Sequence, residues 1–264
     1  MLVPAKSLRA CEPALSYRGL AVSGEELRGR VALVTGAAKR IGRTVALRLA
    51  REGADVVVHY HKSRAEAGET VSEIEKLGRK GIALQADLRS VAEIKRLVQQ
   101  VETEFGRLDI LVNNAANFIP GHVEDTTEEI WDAALDANLK GVFFCAQAAA
   151  PLLKKSRGVI VNFGDVGGVI AWPGYIAHCV SKAGVVMLTK CLAKALAPEV
   201  RVSAIAPGTI TMAGDPSELE REFVQRAPLR TTGTPEEVAD AVMFLVRSRF
   251  MTGQVLLLEG GRTL

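Results

Sequence analysis

The sequence predicts an α/β protein: a single doubly wound, Rossmann-type domain on a seven-stranded parallel sheet. Three observations predict it. From residue 30 onward, short β-branched runs alternate with longer amphipathic ones, the pattern of buried parallel strands covered by helices on both faces. The first apolar run passes directly into a glycine-bearing turn that opens a helix-period segment, and free amides and the helix dipole there attract a pyrophosphate. The 264 residues, 48% apolar with a formal net charge of +3, suffice for one large α/β unit. That mixed charge holds no basic block of the kind that neutralises nucleic-acid phosphates.

The elements follow in order. Strands are expected at residues 31–35, 55–60, 81–86, 108–113, 158–163, 200–205 and 254–258, each a short β-branched or apolar run. Helices are expected at 40–52, 63–77, 91–105, 127–153, 176–196 and 235–246, where apolar residues recur at helical spacing. Gly53 and Gly78 stand where the first two helices must stop in left-handed turns. Thr234, Pro235, Glu236 and Glu237 supply an N-cap, a proline at the first helical position and acids in the first turn. Right-handed crossovers between parallel strands then leave little topological freedom. The stretch 209–228, rich in Thr, Gly, Pro and charge, reads as the one long irregular insertion, and such loops commonly cover active sites.

Residues 1–28 read as a poorly ordered N-terminal extension, and 29–264 as the domain. Lys6, Arg9 and Arg18 are interspersed with Pro4, Glu12 and Pro13, so the apolar centre of a signal peptide is missing; an organelle-targeting peptide is the alternative to a cytoplasmic chain. Cys11, Cys145, Cys179 and Cys191 lack metal or disulfide spacing and are expected as reduced thiols with no metal site. No apolar stretch is expected to approach the ~18 residues of a membrane span, so neither membrane nor nucleic acid is an expected partner.

Thr35-Gly36 with Ile41-Gly42, Asn113-Asn114-Ala115, Asn138, Lys182 and Pro207-Gly208, five features in order over residues 30–260, resemble the short-chain dehydrogenase/reductase family. Arg40 stands where that family usually has the middle glycine of its turn, and Ala37-Ala38-Lys39-Arg40-Ile41-Gly42 resembles the pteridine reductase branch. The resemblance implies a dinucleotide cofactor held by Gly36, Ile41, Asn114, Ala115, Pro207, Gly208 and Ile210, with Asp87 and Leu88 at the adenine. It also implies a homotetramer acting on a small-molecule substrate. The second strand ends in His59-Tyr60-His61-Lys62-Ser63, where an NAD enzyme would place an acid for the ribose 2′-hydroxyl. This stretch has none. His61, Lys62 and Ser63 with Arg40 offer the donors a 2′-phosphate needs, which assigns NADP(H).

In this family Ser, Tyr and Lys act together, and an Asn holds a water near the Lys. Here Lys182 and Asn138 match, whereas Asp165 occupies the Ser position and His178 the Tyr position. Asp at that position is what the pteridine reductase branch shows, and a carboxylate can accept from pterin donors or, when protonated, deliver a proton. Phe118 matches the branch's stacking aromatic; a buried loop anchor is its other reading. His178 lies four residues before Lys182, on the same helix face, but imidazole falls short of phenol by roughly 2 Å, large against a proton-transfer contact. Three readings follow: His178 as proton donor, Asp165 with a water as donor, or a weakened site. Tyr175, one turn earlier, is expected as a pocket wall. A Cys179–His178 nucleophile pair is disfavoured because adjacent helix positions diverge.

The sequence therefore points to an NADPH-dependent oxidoreductase transferring hydride to a C=N or C=O group, with a pteridine as the substrate. The alternatives are a 3-oxoacyl-thioester reductase and a catalytically weak NADPH-binding protein.

Overall fold

The computed structural model describes residues 26–212 and 218–264. Residues 1–25 of the expected extension lie outside the described residues. Leu27 does not behave as extension: its side chain is buried, its N–H donates to the Glu52 carbonyl at 2.7 Å, and neighbouring Glu26 pairs with Arg247 at 2.7 Å. Packing thus begins before residue 29.

Seven strands form one wholly parallel sheet: β1 (Val31–Val34), β2 (Asp55–Tyr60), β3 (Gly81–Gln85), β4 (Ile110–Asn113), β5 (Val159–Phe163), β6 (Arg201–Pro207) and β7 (Val255–Leu258). Their order is β3-β2-β1-β4-β5-β6-β7. The chain winds outward from β1 to β3, then returns to pair β4 with β1, Leu111 beside Leu33. This reversal opens a crevice at the carboxyl ends of β1 and β4, where ligands of open α/β sheets bind.

Among the described residues the chain forms eight helices: α1 (Arg40–Arg51), α2 (Arg64–Lys76), α3 (Val91–Phe105), α4 (Glu128–Leu135), α5 (Gly141–Ser156), α6 (Ile176–Leu196), α7 (Glu218–Gln225) and α8 (Pro235–Arg247). Two buried apolar clusters form. One joins Val45 and Leu49 of α1 and Val242 of α8 to Val34 and Val112; the other joins Ile94 and Leu97 of α3, Ala146 and Leu153 of α5 and Leu192 of α6 to Leu33 and Leu111. Alternate residues of β1 and β4 thus face opposite layers, as the strand's two-residue period requires. Each fully buried Leu or Ile contributes roughly 1.5–3 kcal/mol. Gly53 and Gly78 take positive φ after α1 and α2, and Thr234 and Glu237 close a capping box at α8 through bonds of 3.2 and 2.8 Å, as the sequence predicts.

Three expectations are corrected. The helix expected over 127–153 is interrupted by a π turn at Asp136–Lys140; one added residue per turn leaves the apolar spacing on either side intact, so periodicity does not reveal it. The insertion 209–228 contains α7, a charged two-turn helix, too short for periodicity to mark. Finally, α6 does reach membrane-span length and apolarity, with a mean hydropathy of 1.3 over its best window. It packs as a core helix, burying Ser181, Lys182, Val185 and Thr189.

Candidate active site

The cofactor end is built on the β1–α1 turn. Thr35 Oγ1 accepts from the N–H groups of Asn114 and Ala115 at 2.9 and 3.0 Å, and Asn114 Nδ2 donates to the Thr35 carbonyl at 2.8 Å. The end of β4 therefore clamps the turn. Gly42 is forced by contact: a Cβ there would lie 2.3 Å from the Gly36 carbonyl oxygen. No side chain caps α1 at Lys39, which leaves first-turn amides to bind an anion. Arg40, standing in for glycine, takes φ +56°, a left-handed conformation costing an ordinary residue roughly 1–2 kcal/mol.

A residue the sequence reading passed over braces this turn. His59, buried on β2, accepts the Gly36 N–H at Nδ1 (3.1 Å), so its Nε2–H donates to the Ala86 carbonyl (3.0 Å). Burial pushes its pKa down to about 4, opposed by the Ala86 bond, with His61 lowering it further and Asp87 raising it. Only the neutral ring has the one acceptor and one donor that these partners need. Its place next to the turn in strand register was the only sequence signal.

Arg40, His61, Lys62 and Ser63 line one cleft with Gly36, Ile41 and Asn114. Its volume is about 630 Å³, room for a cofactor and a small acceptor. Ala115, Pro207, Gly208 and Ile210 complete this wall. Asp87 and Leu88 do not line the cleft. Asp87 is held by the Arg89 guanidinium at 2.6 Å, which pulls its carboxyl down to about 2, and Leu88 is buried in the core. The strand-end position was legible; the arginine two residues on, which pairs with the carboxylate, was not.

At the other end, Asp165, His178, Lys182 and Phe118 share the cleft. His178 and Lys182 are 3% and 4% exposed, one helical turn apart on the buried face of α6. Lys182 Nζ donates to the Phe163 carbonyl at 2.8 Å; burial pushes its pKa down to about 8, with Asp165 opposing. Asp165 Oδ1 accepts the Gly167 N–H at 2.7 Å, leaving Oδ2 3.7 Å from His178 Nε2. Among the described residues, neither His178 ring nitrogen has a hydrogen-bond partner. The imidazole thus faces the carboxylate from the buried side of the cleft.

Asn138 is not in the cleft wall. The π turn carries it into the interior, where Oδ1 accepts the Asn117 N–H at 2.8 Å and Nδ2 donates to the Asn117 carbonyl at 3.1 Å and to Ser181 Oγ at 3.2 Å. Its side chain thus ties the loop bearing Phe118 to α6. Tyr175 is likewise corrected. It is the N-cap of α6, outside helical backbone, so the one-turn spacing does not apply. Its ring stacks on Phe118 at 4.2 Å, away from the cleft lining. Phe118 keeps 49% exposure and meets His178 edge-on at 4.7 Å. Trp172 lies parallel to the His178 ring at 6.2 Å and lines the cleft with Phe223 and Arg262. Those three come from separate chain segments, and no local pattern announced them.

A family model described as enoyl-(acyl carrier protein) reductase matches residues 36–263. The chain belongs to the short-chain dehydrogenase/reductase family. It is an oxidoreductase by that membership. It is 38% identical over 237 residues to the 3-oxoacyl-[acyl-carrier-protein] reductase FabG of Staphylococcus aureus, covering 87% of this chain and 96% of the relative. To the 3-oxoacyl-[acyl-carrier-protein] reductase of Synechocystis it is 39% identical over 245 residues, covering 89% and 97%. Among solved structures, a Burkholderia cenocepacia short chain dehydrogenase in complex with NADP superposes with a TM-score of 0.87 at 35% identity, over 91% of this chain and all of that one. A blue fluorescent protein from a metagenomic library in complex with NADPH gives 0.86 at 30% identity, over the same shares.

Proposed function

We propose that this family member is an NADPH-dependent reductase whose acceptor is a carbonyl compound of the 3-oxoacyl-thioester class. The observation that carries the reductase reading is the meeting, in one cleft, of the basic tip of β2 with Asp165, His178 and Lys182. The residues present fit the cofactor. Uncapped amides at α1 suit a pyrophosphate. Arg40, His61, Lys62 and Ser63 would hold the 2′-phosphate, and Lys182 the nicotinamide ribose. When bound, NADPH supplies the hydride. Complexes of NADP and NADPH in structurally similar relatives support the choice.

The chain's own part is to polarise the acceptor and deliver a proton. His178, as imidazolium, gives its Nε2 proton to the acceptor oxygen as the carbon is reduced, and Asp165 stabilises the charged ring before transfer. A water between them bridges the reach that phenol would have had. Trp172 and Phe118 enclose the imidazole and keep bulk water from the transfer.

The thioester class takes precedence over the pteridine because relatives bearing that activity in their names match along almost the whole chain. The pteridine remains a second reading on one observation: Asp165, a carboxylate able to pair with ring N–H groups, lies in the cleft with the half-exposed ring of Phe118. Loss of NADPH absorbance is measured with acetoacetyl-CoA and with dihydrobiopterin. Turnover of the thioester supports the first reading, and of the pterin alone the second. Tight NADPH binding with neither reduced would make the chain a cofactor-binding protein. A cytoplasmic homotetramer is also proposed. Exposed Phe143 on α5, Val180 and Met187 on α6 and Leu257 on β7 suit subunit contacts.

A further inference from the structure

The last turn of the chain brings a cation to the acceptor end of the cleft. After β7, Gly260 and Gly261 both adopt positive φ, reversing the backbone so that Arg262 lies over the cleft. Its guanidinium carbon sits 4.4 Å from the centre of the Phe223 ring and 5.1 Å from that of Trp172. Those rings stack at 5.7 Å, 15° from parallel, and Trp172 in turn lies parallel to His178. Arg262 is therefore two ring contacts from the proton-bearing residue.

This arginine is positioned by aromatic rings. Among the described residues its side chain makes no hydrogen bond and no ion pair; its contacts are the two rings. Glu259, the nearest carboxylate in sequence, accepts instead from Thr263, and Glu222 pairs with Arg226. Asp165 and Glu220 share the cleft wall, and Asp165 already accepts from Gly167. Burial pushes the guanidinium down from its ordinary value, with Arg226 adding repulsion and Asp165, Glu259 and Glu222 opposing. Stacking holds the planar fork fixed while its N–H donors have no partner among the described residues, the arrangement that selects a carboxylate or phosphate by paired bonds.

We propose that Arg262 is a specificity-determining residue that binds an oxyanion carried by the acceptor, so that the enzyme prefers anionic over neutral carbonyl compounds. The oxyanion is either a carboxylate on an oxo acid or a phosphate on a thioester's carrier arm; both present paired oxygens to the fork. This inference rests on the reductase reading, and its test separates the two.

Binding is read first, without turnover, from tryptophan fluorescence, since Trp172 lies under the guanidinium. With NADP⁺ present, which has no hydride to give, acetoacetate and ethyl acetoacetate are titrated into the wild type, Arg262→Leu and Arg262→Lys. The acid should bind the wild type at least tenfold more tightly than the ester; the gap should vanish with Leu and shrink with Lys, which keeps charge but loses the fork. Equal binding of acid and ester by the wild type excludes the carboxylate and leaves the proposal to the CoA thioester below; a gap that survives in Arg262→Leu overturns it. If the Leu variant does not fold, a Lys variant with an undiminished gap overturns it equally.

Turnover of acetoacetate, acetoacetyl-CoA and ethyl acetoacetate then locates the anion. In Arg262→Leu, a tenfold KM increase confined to acetoacetate assigns the carboxylate, and one confined to the CoA thioester assigns the phosphate. Equal losses on all three, ester included, would mean a structural role and refute the inference. Absence of any turnover in the wild type would remove the reductase reading while leaving the fluorescence result to judge Arg262.

Discussion

Protonating His59 should unfasten the cofactor turn and destabilise the protein at mildly acid pH. The neutral ring accepts from Gly36 and donates to Ala86; a second proton would set an N–H against the Gly36 N–H and bury a charge. In the unfolded chain the imidazole takes up its proton near 6.5, and in the folded chain only near 4. Between these values the unfolded state binds more protons, so stability rises with pH across the interval. His59's contribution is complete above 6.5 and is lost as pH falls toward 4, amounting to about 3 kcal/mol. For a chain of this size that corresponds to roughly 6–12 °C in Tm.

The assay is thermal unfolding by circular dichroism from pH 7.5 to 4, comparing the wild type with His59→Gln. Glutamine can both accept and donate but does not titrate. The variant should be less stable than the wild type at neutral pH, and the difference should shrink steadily below pH 6.5. Parallel curves would refute the reasoning, because they would mean that His59 takes up its proton alike in both states.

Three more outcomes are expected. His178→Tyr should raise NADPH-dependent turnover tenfold or more in steady-state assays by restoring about 2 Å of reach; a decrease would identify the imidazole as the adapted acid. The rate should fall as pH rises through about 8, where the Lys182 ammonium loses its proton, and Lys182→Met should remove that limb of the pH profile along with most of the activity. Arg40→Gly should raise the KM for NADPH at least tenfold with no matching change for NADH. Because glycine relieves the +56° backbone, its Tm should not fall.

The sequence by itself determined the seven parallel strands, the glycine stops, the Thr234 cap and the pairing of His178 with Lys182 on one helix face. Each is a local property, set by side-chain period or by backbone freedom within a few residues. The basic tip of β2 was legible for the same reason, since three neighbouring positions, His61, Lys62 and Ser63, carry its chemistry on one turn. Tertiary structure alone decided that His59 reaches Gly36 and Ala86, 23 and 27 residues away in the chain. It also decided that Tyr175 stacks on Phe118 and that Arg262 lies across Trp172 and Phe223. Such contacts join elements that meet only when the sheet and its helices have packed, and direction at those junctions is set by caps, π turns and left-handed residues. Periodicity carries no record of them.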